Sequence, residues 1–328
     1  MKKLAIDAMS GDLGSSIVVD ACLNFNKNHK DVELYVTGKK EELTKLENIE
    51  NIHIIDARDV LAMDEGILAV RRKKESSMVK AVMLAKEDKV DAVVSCGSTG
   101  SFYTCAMLFL KRIEGVEKSC LMAMVPTYNN KGVGMLDVGA NAENTAQHLN
   151  DFAVMGSVYA KEVRGIDNPK VALLNIGTEE KKGNDMHKEA YQLLKANDKI
   201  NFVGNIEGRD MLMGDVDVVV TDGFSGNIAL KTTEGVAGIL MNSVKESMMS
   251  SLKGKIGALF AMDSLRALKA KFDYKSVGGA LMMGFEKAVV KAHGASDDVA
   301  FLNAMELALK MVEQDVVNKM KEGLKWKS

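Results

Sequence analysis

The sequence predicts an α/β fold in which a mostly parallel sheet is covered by helices on both faces. Short runs of β-branched residues alternate with amphipathic stretches along the whole chain, a pattern typical of βαβ units. Strand after strand ends in a glycine-rich or polar turn. No low-complexity linker divides the 328 residues, so residues 1–328 are predicted to form one α/β domain.

The predicted elements follow one another at short, regular intervals. The predicted strands are Lys3–Asp7, Glu33–Thr37, Ile52–Asp56, Ala92–Ser95, Gly132–Asp137, Lys170–Asn175, Ile200–Gly204 and Val218–Thr221. Helical patterns lie between them at Ser16–Lys27, Ser77–Glu87 and Asn144–Arg164, where apolar residues recur every three or four positions.

Composition excludes several classes of protein. The net charge of −2 gives no general attraction for nucleic acid, so any anion site must be local. No run of 18 uncharged apolar residues is present to span a membrane. The apolar part of the N-terminus is too short for a signal peptide. Four cysteines and five histidines are scattered without metal-ligand spacing, which predicts a reduced cytosolic chain with no metal site.

Six turns at strand ends carry the small and polar residues that a ligand site needs. In chain order they read DAMSGD, SCGSTG, DVGANAEN, NIGTEEKKG, GNIEGRD and DGFSGN. Ligands of parallel sheets bind beyond the carboxyl ends of the strands, so we expect these turns to meet at one edge of the sheet. Two of them share a layout, because VDAVVSCGSTGS (90–101) and VDVVVTDGFSGN (216–227) place glycines and hydroxyls alike.

The residues of these turns suit an anion site. A glycine-hydroxyl turn that feeds a helix presents backbone N–H groups at the positive end of the helix, and phosphate is their usual ligand. The alternative, tight packing of strand on helix, is about equally consistent with the pattern. The candidate binding residues are Asp7, Gly97, Thr99, Gly100, Asp137, Asn141, Asn175, Gly177, Asn205, Asp222, Gly223, Ser225 and Gly226.

Three further residues are candidates for the chemistry itself. Lys182, in NIGTEEKKG, could meet a phosphate as a point charge, or be a solvated surface lysine. Asn227 could donate to a phosphate or carbonyl oxygen, and His293, in KAHGASD, could supply a proton or be purely structural. Cys96 could be imagined as a nucleophile, but no histidine is near it in sequence to activate a thiolate, so a structural role is favoured.

The segment Val244–Phe272 differs from the rest of the chain. Met248, Leu252, Ile256 and Leu259 follow helical spacing, Phe260 widens the stripe, and the charged residues sum to +4 (six basic, two acidic). A basic amphipathic helix can lie on an anionic membrane, or it can pack against the core or a second subunit. Gly254 and Gly257 suggest a bend or a helix–turn–helix tip.

Taken together and in order, the turns resemble those of the bacterial acyl-acyl carrier protein–phosphate acyltransferases of phospholipid synthesis. The similar segments run from AIDAMSGD through VRRKKESSMVKAV, VDAVVSCGSTG, MLDVGANAE, LLNIGTEEKKGN, FVGNIEGRD and VDVVVTDGFSGNIALKTTEG to DYKSVGGALMMGFEKAVVKAHGASD. They cover nearly the whole chain. Cys96 and Ser98 depart from the SAGNTG that the family commonly carries, which argues further against a catalytic thiol.

The resemblance implies a fold and an activity. The fold would be a three-layer Rossmann-like sandwich, similar to phosphotransacetylases and isocitrate/isopropylmalate dehydrogenases, with a protruding helical tip near residues 244–272. The activity would be transfer of a fatty acyl group from acyl carrier protein to inorganic phosphate, without metal or cofactor.

It also implies partners: a second copy of the chain, the inner face of the membrane and the downstream glycerol-3-phosphate acyltransferase. The cytoplasmic enzyme would touch the membrane through Leu252, Ile256, Leu259 and Phe260. Two other functions stay open on the residues alone, a phosphotransacetylase-like enzyme that uses short acyl-CoA and a non-catalytic scaffold at the membrane surface.

Overall fold

A computed structural model describes residues 1–65, 68–271 and 279–325, apart from the side chains of residues 269–271. Eleven strands lie in these ranges: β1 Lys2–Asp7, β2 Val32–Gly38, β3 Ile52–Asp56, β4 Ala92–Ser95, β5 Cys120–Val125, β6 Val133–Leu136, β7 Lys170–Asn175, β8 Asn201–Glu207, β9 Val218–Val220, β10 Ala280–Met283 and β11 Ala288–Lys291. The α-helices are α1 Ser15–Asn28, α2 Ala69–Arg72, α3 Ser77–Lys86, α4 Thr99–Phe109, α5 Ala146–Glu162, α6 Asp185–Ala196, α7 Gly223–Met249, α8 Leu252–Phe260, α9 Met262–Lys271, α10 Asp298–Glu313 and α11 Val316–Leu324.

The strands form one mixed sheet in the order β3-β2-β1-β4-β11-β10-β5-β6-β9-β7-β8. Among the described residues, seven of the ten strand pairings are parallel. The three antiparallel pairings, β11 with β10, β10 with β5 and β5 with β6, lie together in the middle. A predicted, mostly parallel sheet is therefore confirmed, although β5, β10 and β11 were not among the predicted strands.

The central antiparallel pairings reverse the direction of the sheet. Strands β1, β2, β3, β4 and β11 run one way, whereas β6, β7, β8 and β9 run the other. The turns after β1 and β4 consequently lie at one edge, and those after β6, β7, β8 and β9 at the opposite edge. The prediction that all six turns meet at one edge is wrong, and the two similar turns SCGSTG and DGFSGN lie at opposite edges.

Helices cover both faces of the sheet and create a core on each. Alternate residues of one strand point to different faces: Leu4 and Ile6 belong to one apolar cluster, Ala5 to the other. The first cluster takes in α1, α5, α6, α10 and α11, and the second takes in α2, α3 and α4. The predicted three-layer α/β/α arrangement is confirmed, while its description as one domain stays a prediction.

Helix α7 leaves the sheet and forms the long arm of the predicted tip. It has 27 residues, a length of about 40 Å, and within it only Gly223 and Gly226 are buried. A turn at Ser250–Ser251 leads into α8, which contains both Gly254 and Gly257, so these glycines do not mark the bend. Instead Ser251 caps α8, its hydroxyl accepting from the N–H of Gly254 at 3.0 Å. Phe272, the last residue of the predicted tip, lies outside the described residues.

The arm is held at its first turn by close backbone contact. A Cβ atom on Gly226 would overlap the carbonyl oxygen of Asp137, and one on Gly223 would overlap the carbonyl oxygen of Asn141. Because neither neighbour is a movable side chain, the two glycines allow α7 to begin directly against the loop that follows β6.

We expect Gly226→Ala to lower the free energy of unfolding by about 1–3 kcal/mol, since the added methyl group forces this backbone apart. Gly238→Ala is the matched control: the same helix has open space there, with nothing within 4 Å of the added Cβ. Alanine should stabilise α7 there by about 0.5–1 kcal/mol through its higher helix propensity. Urea denaturation measures both, and equal effects would show that α7 is not held by this contact.

Candidate active site

A cleft crosses one face of the sheet between α4 and α7. Its volume is about 600 Å³, within the usual range for small-molecule sites. The lining residues include Thr99, Gly100 and Tyr103 of α4, Leu121 and Ala123 of β5, Gly139 and Ala140 after β6, Asn227, Lys231 and Glu234 of α7, and Lys291 and His293 at the end of β11. The cleft therefore extends from the edge where β4 and β11 end to the opposite edge, where β6 ends.

Lys291 brings a buried charge to this cleft. It is only 7 % exposed and is the last residue of β11, where it pairs with Ser95 of β4. Burial lowers the pKa of its ammonium group from the ordinary 10.5 to about 8, although Cys96 and Asp12 favour the charged form. Its Nζ donates to the carbonyl oxygen of Ala292. The sequence did not single out this lysine, because β11 was not among the predicted strands and nothing in VVKAHG marks the residue as buried.

The N-terminus of α4 lies beside that lysine. Strands β4 and β11 end side by side, as the hydrogen bond from the N–H of Ala292 to the carbonyl of Ser95 shows at 2.9 Å. Four residues after Ser95, Thr99 begins α4, and Thr99 and Gly100 are exposed to the cleft. A helix start with a nearby cation attracts anions.

Two further groups on the lining are fixed by local contacts. Lys231 is exposed and pairs with Glu234, with Nζ and Oε2 2.8 Å apart. His293 accepts a hydrogen bond at Nδ1 from the N–H of Ala295 at 3.2 Å. This contact holds the Nδ1 side of the ring against its own turn.

Asp7 and Gly97, both predicted to bind a ligand, pack beneath the turn that leads into α4. Asp7 is fully buried, and its carboxylate accepts from the hydroxyls of Ser77 and Ser95, each at 2.6 Å. Gly97 is buried, and a Cβ there would collide with Met78 and Ser10. These contacts indicate tight packing of strand on helix, which was the alternative to an anion site in the sequence analysis.

Asp137 and Asn141 organise the loop after β6. One oxygen of Asp137 accepts from the N–H groups of Leu121, Gly139 and Ala140 at 2.9–3.1 Å. The other accepts from the N–H and the side-chain amide of Asn141 at 2.9 and 2.8 Å. Burial nevertheless raises the pKa of the Asp137 carboxyl.

Asp222 caps α7 at the same edge. Its carboxylate accepts from the N–H of Ser225 at 2.9 Å, and the N–H of Gly223 donates to Asn144 Oδ1 at 3.0 Å. His187 Nε2 lies 3.8 Å from Asp222 Oδ2, and burial lowers the pKa of that histidine. Asn227, one turn further on, reaches the cleft and lies against Gly139.

The turn after β7 gathers the remaining predicted residues away from the cleft. The Asn175 amide donates to the Lys182 carbonyl at 3.1 Å and to Asn205 Oδ1 at 3.2 Å. Gly177 is buried beneath Glu179 and Lys182. The Lys182 ammonium group is 3.6 Å from Glu179, and Lys182 is not among the described residues that line the cleft.

The thiol of Cys96 is buried, with 1 % of the residue exposed. Burial, with a smaller contribution from the charge of Asp7, raises its pKa to about 12. A thiol with that pKa is protonated at neutral pH and is a poor nucleophile, in agreement with the structural role that the sequence favoured.

Comparison with known proteins places the chain in a family. A family model described as "Fatty acid synthesis protein" matches residues 2–319. The phosphate acyltransferase of Streptococcus agalactiae is 45 % identical over 323 residues, which cover 98 % of each chain. That of Clostridium perfringens is 44 % identical over 332 residues, covering 99 % of this chain and 98 % of the relative.

Solved structures agree on the fold. The EutD phosphotransacetylase of Staphylococcus aureus superposes with a TM-score of 0.61 at 17 % identity, covering 94 % of each chain. A phosphotransacetylase of Streptococcus pyogenes gives 0.57 at 18 % identity, covering 99 % of this chain and 94 % of that one. The family predicted from the ordered turns is thus confirmed, and the chain belongs to this family of fatty acid synthesis proteins, whose curated relatives are phosphate acyltransferases.

Proposed function

We propose that the protein transfers a fatty acyl group from acyl carrier protein to inorganic phosphate, giving acyl-phosphate for phospholipid synthesis. A phosphate oxygen forms the new bond to the carbonyl carbon, the thioester C–S bond breaks, and the proton of hydrogen phosphate ends on the leaving thiol. The observation that carries the proposal is the buried ammonium group of Lys291 in a cleft at the start of a helix.

Phosphate would bind at the end of the cleft where β4 and β11 finish. There Lys291 and the first N–H groups of α4 lie on one side and Lys231 on the other, so the anion meets two cations and a helix terminus. Asn227, further along α7, would donate to the acyl carbonyl. Lys182 and its neighbours at the β7 turn remain the competing phosphate site.

His293 would serve the carbonyl or the leaving group. It lines the cleft and would donate a proton to the developing oxyanion or to the departing thiolate. Attack by phosphate needs no covalent enzyme intermediate, so the protein contributes position and charge stabilisation. The buried, protonated thiol of Cys96 is consistent with that mechanism.

The first experiment separates this function from the alternatives. Acyl-phosphate formation should be seen with palmitoyl-acyl carrier protein and phosphate, with kcat/KM at least about tenfold above that for acetyl-CoA, because a long chain offers binding energy that an acetyl group lacks. Hydroxamate trapping of the acyl-phosphate measures both. Preference for acetyl-CoA would identify a phosphotransacetylase-like enzyme, and turnover of neither donor would favour the scaffold.

Lys291→Met tests the phosphate site. Removing one preorganised charge should reduce kcat/KM for phosphate by about 10²–10³. The free energy of unfolding at pH 7 should rise by about 1–3 kcal/mol, since methionine avoids burying a charge. The pKa of Lys291 is about 8 in the folded protein and 10.5 ordinarily, so between these pH values the folded protein binds fewer protons than the unfolded chain. The free energy of unfolding of the wild type therefore rises from pH 8 to pH 10.5, and the difference in stability between the wild type and Lys291→Met becomes smaller.

Lys182→Ala is the companion variant, because Lys182 is the cation of the competing site. Steady-state kinetics in phosphate and urea denaturation at pH 7 and pH 10 provide the readouts. Full activity in folded Lys291→Met together with loss of activity in Lys182→Ala would move the phosphate site to the β7 turn.

The helical tip is proposed to hold the enzyme at the inner face of the membrane. On α8, Leu252, Ile256 and Leu259 recur at helical spacing and are 77 %, 52 % and 71 % exposed, and Phe260 is 87 % exposed. Lys253 and Lys255 are exposed beside them. The proposed contact is interfacial, as is typical of basic amphipathic helices. Within the described ranges, no helix is both long and apolar enough to cross a bilayer.

Two protein partners belong to the same proposal. Ile228 and Ile239 of α7 are 52 % and 67 % exposed, and exposed apolar side chains of this kind support contact with a second copy of the chain. The downstream glycerol-3-phosphate acyltransferase would receive the amphiphilic product at the membrane. No role in nucleic-acid binding is proposed, because the net charge is −2.

Leu259→Glu should weaken binding to vesicles rich in phosphatidylglycerol by at least about tenfold, since it exchanges an inserted apolar group for an anion. Val299→Glu is the matched control: Val299 is 58 % exposed and belongs to α10, on the body of the protein. Vesicle co-sedimentation provides the measurement. Equal binding by all three proteins would remove the membrane from the proposal.

A further inference from the structure

A second cavity continues from the cleft and differs from it in chemistry. It has a volume of about 690 Å³ and shares Met124, Leu230 and Glu234 with the cleft. Its lining is largely apolar, with Leu212, Leu240, Met241, Val244 and Leu268 among the residues. We infer that this apolar groove binds the alkyl chain of the acyl group while the thioester carbonyl stays in the cleft, an inference that rests on the proposed function.

Helix α7 forms one wall of the groove, and a row of residues with helical spacing runs along the middle of that wall. Residues 230, 233, 237, 241 and 244 recur every three or four positions, so they lie on one side of the helix. They cover about 21 Å of helix, a length that suits a long-chain acyl group and greatly exceeds an acetyl group.

The opposite wall is part of the folded body. Val125 ends β5, Pro126 follows it, and Leu212 lies in the turn after β8. A backbone hydrogen bond from the N–H of Tyr128 to the carbonyl of Leu212, at 2.7 Å, joins these two segments. Leu268 of α9 completes the groove at the far end, so the groove leads from the cleft towards the helical tip.

The position of the groove favours a slender ligand over a second protein. The deeper residues of its wall are half-buried against the body of the protein: Leu230, Thr233, Ala237 and Met241. At its rim, Val236, Leu240 and Val244 are exposed. The outward face of α7, by contrast, exposes Ile228 and Ile239. A partner subunit would cover the outward face first, whereas an alkyl chain can enter between α7 and the body.

The boundary between the two cavities matches the change of polarity within an acyl group. Glu234 lies there with its carboxylate paired to Lys231 at 2.8 Å and its side chain 19 % exposed. Met124 and Leu230 lie at the same boundary. The thioester and phosphate would remain beside the charged groups, and the first methylenes would pass between Met124 and Leu230.

Burial of each methylene in such a groove should improve kcat/KM by up to about fourfold. The test compares acyl carrier protein loaded with butyryl, octanoyl, lauroyl and palmitoyl groups. In the wild type, kcat/KM should rise along this series. Ala237→Trp fills the groove and should reduce the ratio of palmitoyl to butyryl kcat/KM by at least about tenfold. Leu240→Asn, at a position 60 % exposed and therefore tolerant, should reduce the ratio in the same direction.

Asn242→Trp is the matched control, because it adds the same indole at an exposed position of α7 outside the groove. It should keep the wild-type chain-length profile. If both groove variants also keep that profile, the assignment of the alkyl site is wrong.

Two measurements separate failure of the groove from failure of the proposed function. Fluorescence of cis-parinaric acid reports chain binding without turnover, and weaker binding by Ala237→Trp than by Asn242→Trp supports the groove even if no donor is turned over. Light scattering reports the oligomeric state. If Ala237→Trp dissociates a dimer but binds cis-parinaric acid as wild type does, the groove is a subunit contact and the inference is overturned.

Discussion

Strand β11 comes from the last part of the chain, yet it lies hydrogen-bonded between β4 and β10. That position has two consequences. It places Lys291 opposite Ser95, beside the start of α4, and it begins the antiparallel pairings that reverse the sheet. Because strand ends then lie at two edges, the six turns cannot together form one edge crevice of the ordinary parallel kind. The candidate site is instead the cleft across the face, between α4 and α7.

The pairing of β11 with β4 also buries the charge of Lys291, at a cost in free energy. A lysine inside a sheet-and-helix interior loses hydration, and the pKa of Lys291 falls to about 8 because the charged form is the one that burial penalises. Near neutral pH the ammonium group still keeps its proton. In the proposed function, interaction with phosphate would offset the cost of burying this charge. Destabilised groups of this kind cluster at functional sites.

Sequence patterns were sufficient to predict the strands that alternate with helices, but not β5, β10 and β11 in the middle of the sheet. Runs such as Lys170–Asn175 stand out, whereas Ala280–Met283 and Cys120–Val125 are short, rich in methionine and paired through contacts distant in the chain. The turns were identifiable, but most of their residues hold backbone: Asp7 binds two serines, Asp137 organises its loop and Asp222 caps α7. Thr99, Gly100, Asn227 and His293 do reach the cleft. Lys291 could not be distinguished from a surface lysine, because its burial depends on neighbours from β4 and α7.

Helix α7 then joins the separate parts of the proposal. Successive residues of a helix point in directions about 100° apart, so one helix can present several chemistries at once. Asn227 and Lys231 face the cleft, Ala237 and Met241 face the groove, and the C-terminal end carries the exposed α8. Gly223 and Gly226 fix the N-terminal end against the loop after β6. Tilting this helix about that anchored end would change the width of the groove more than the width of the cleft, since displacement grows with distance from the fixed point. Movement at the tip would therefore affect the proposed alkyl groove more than the proposed phosphate site.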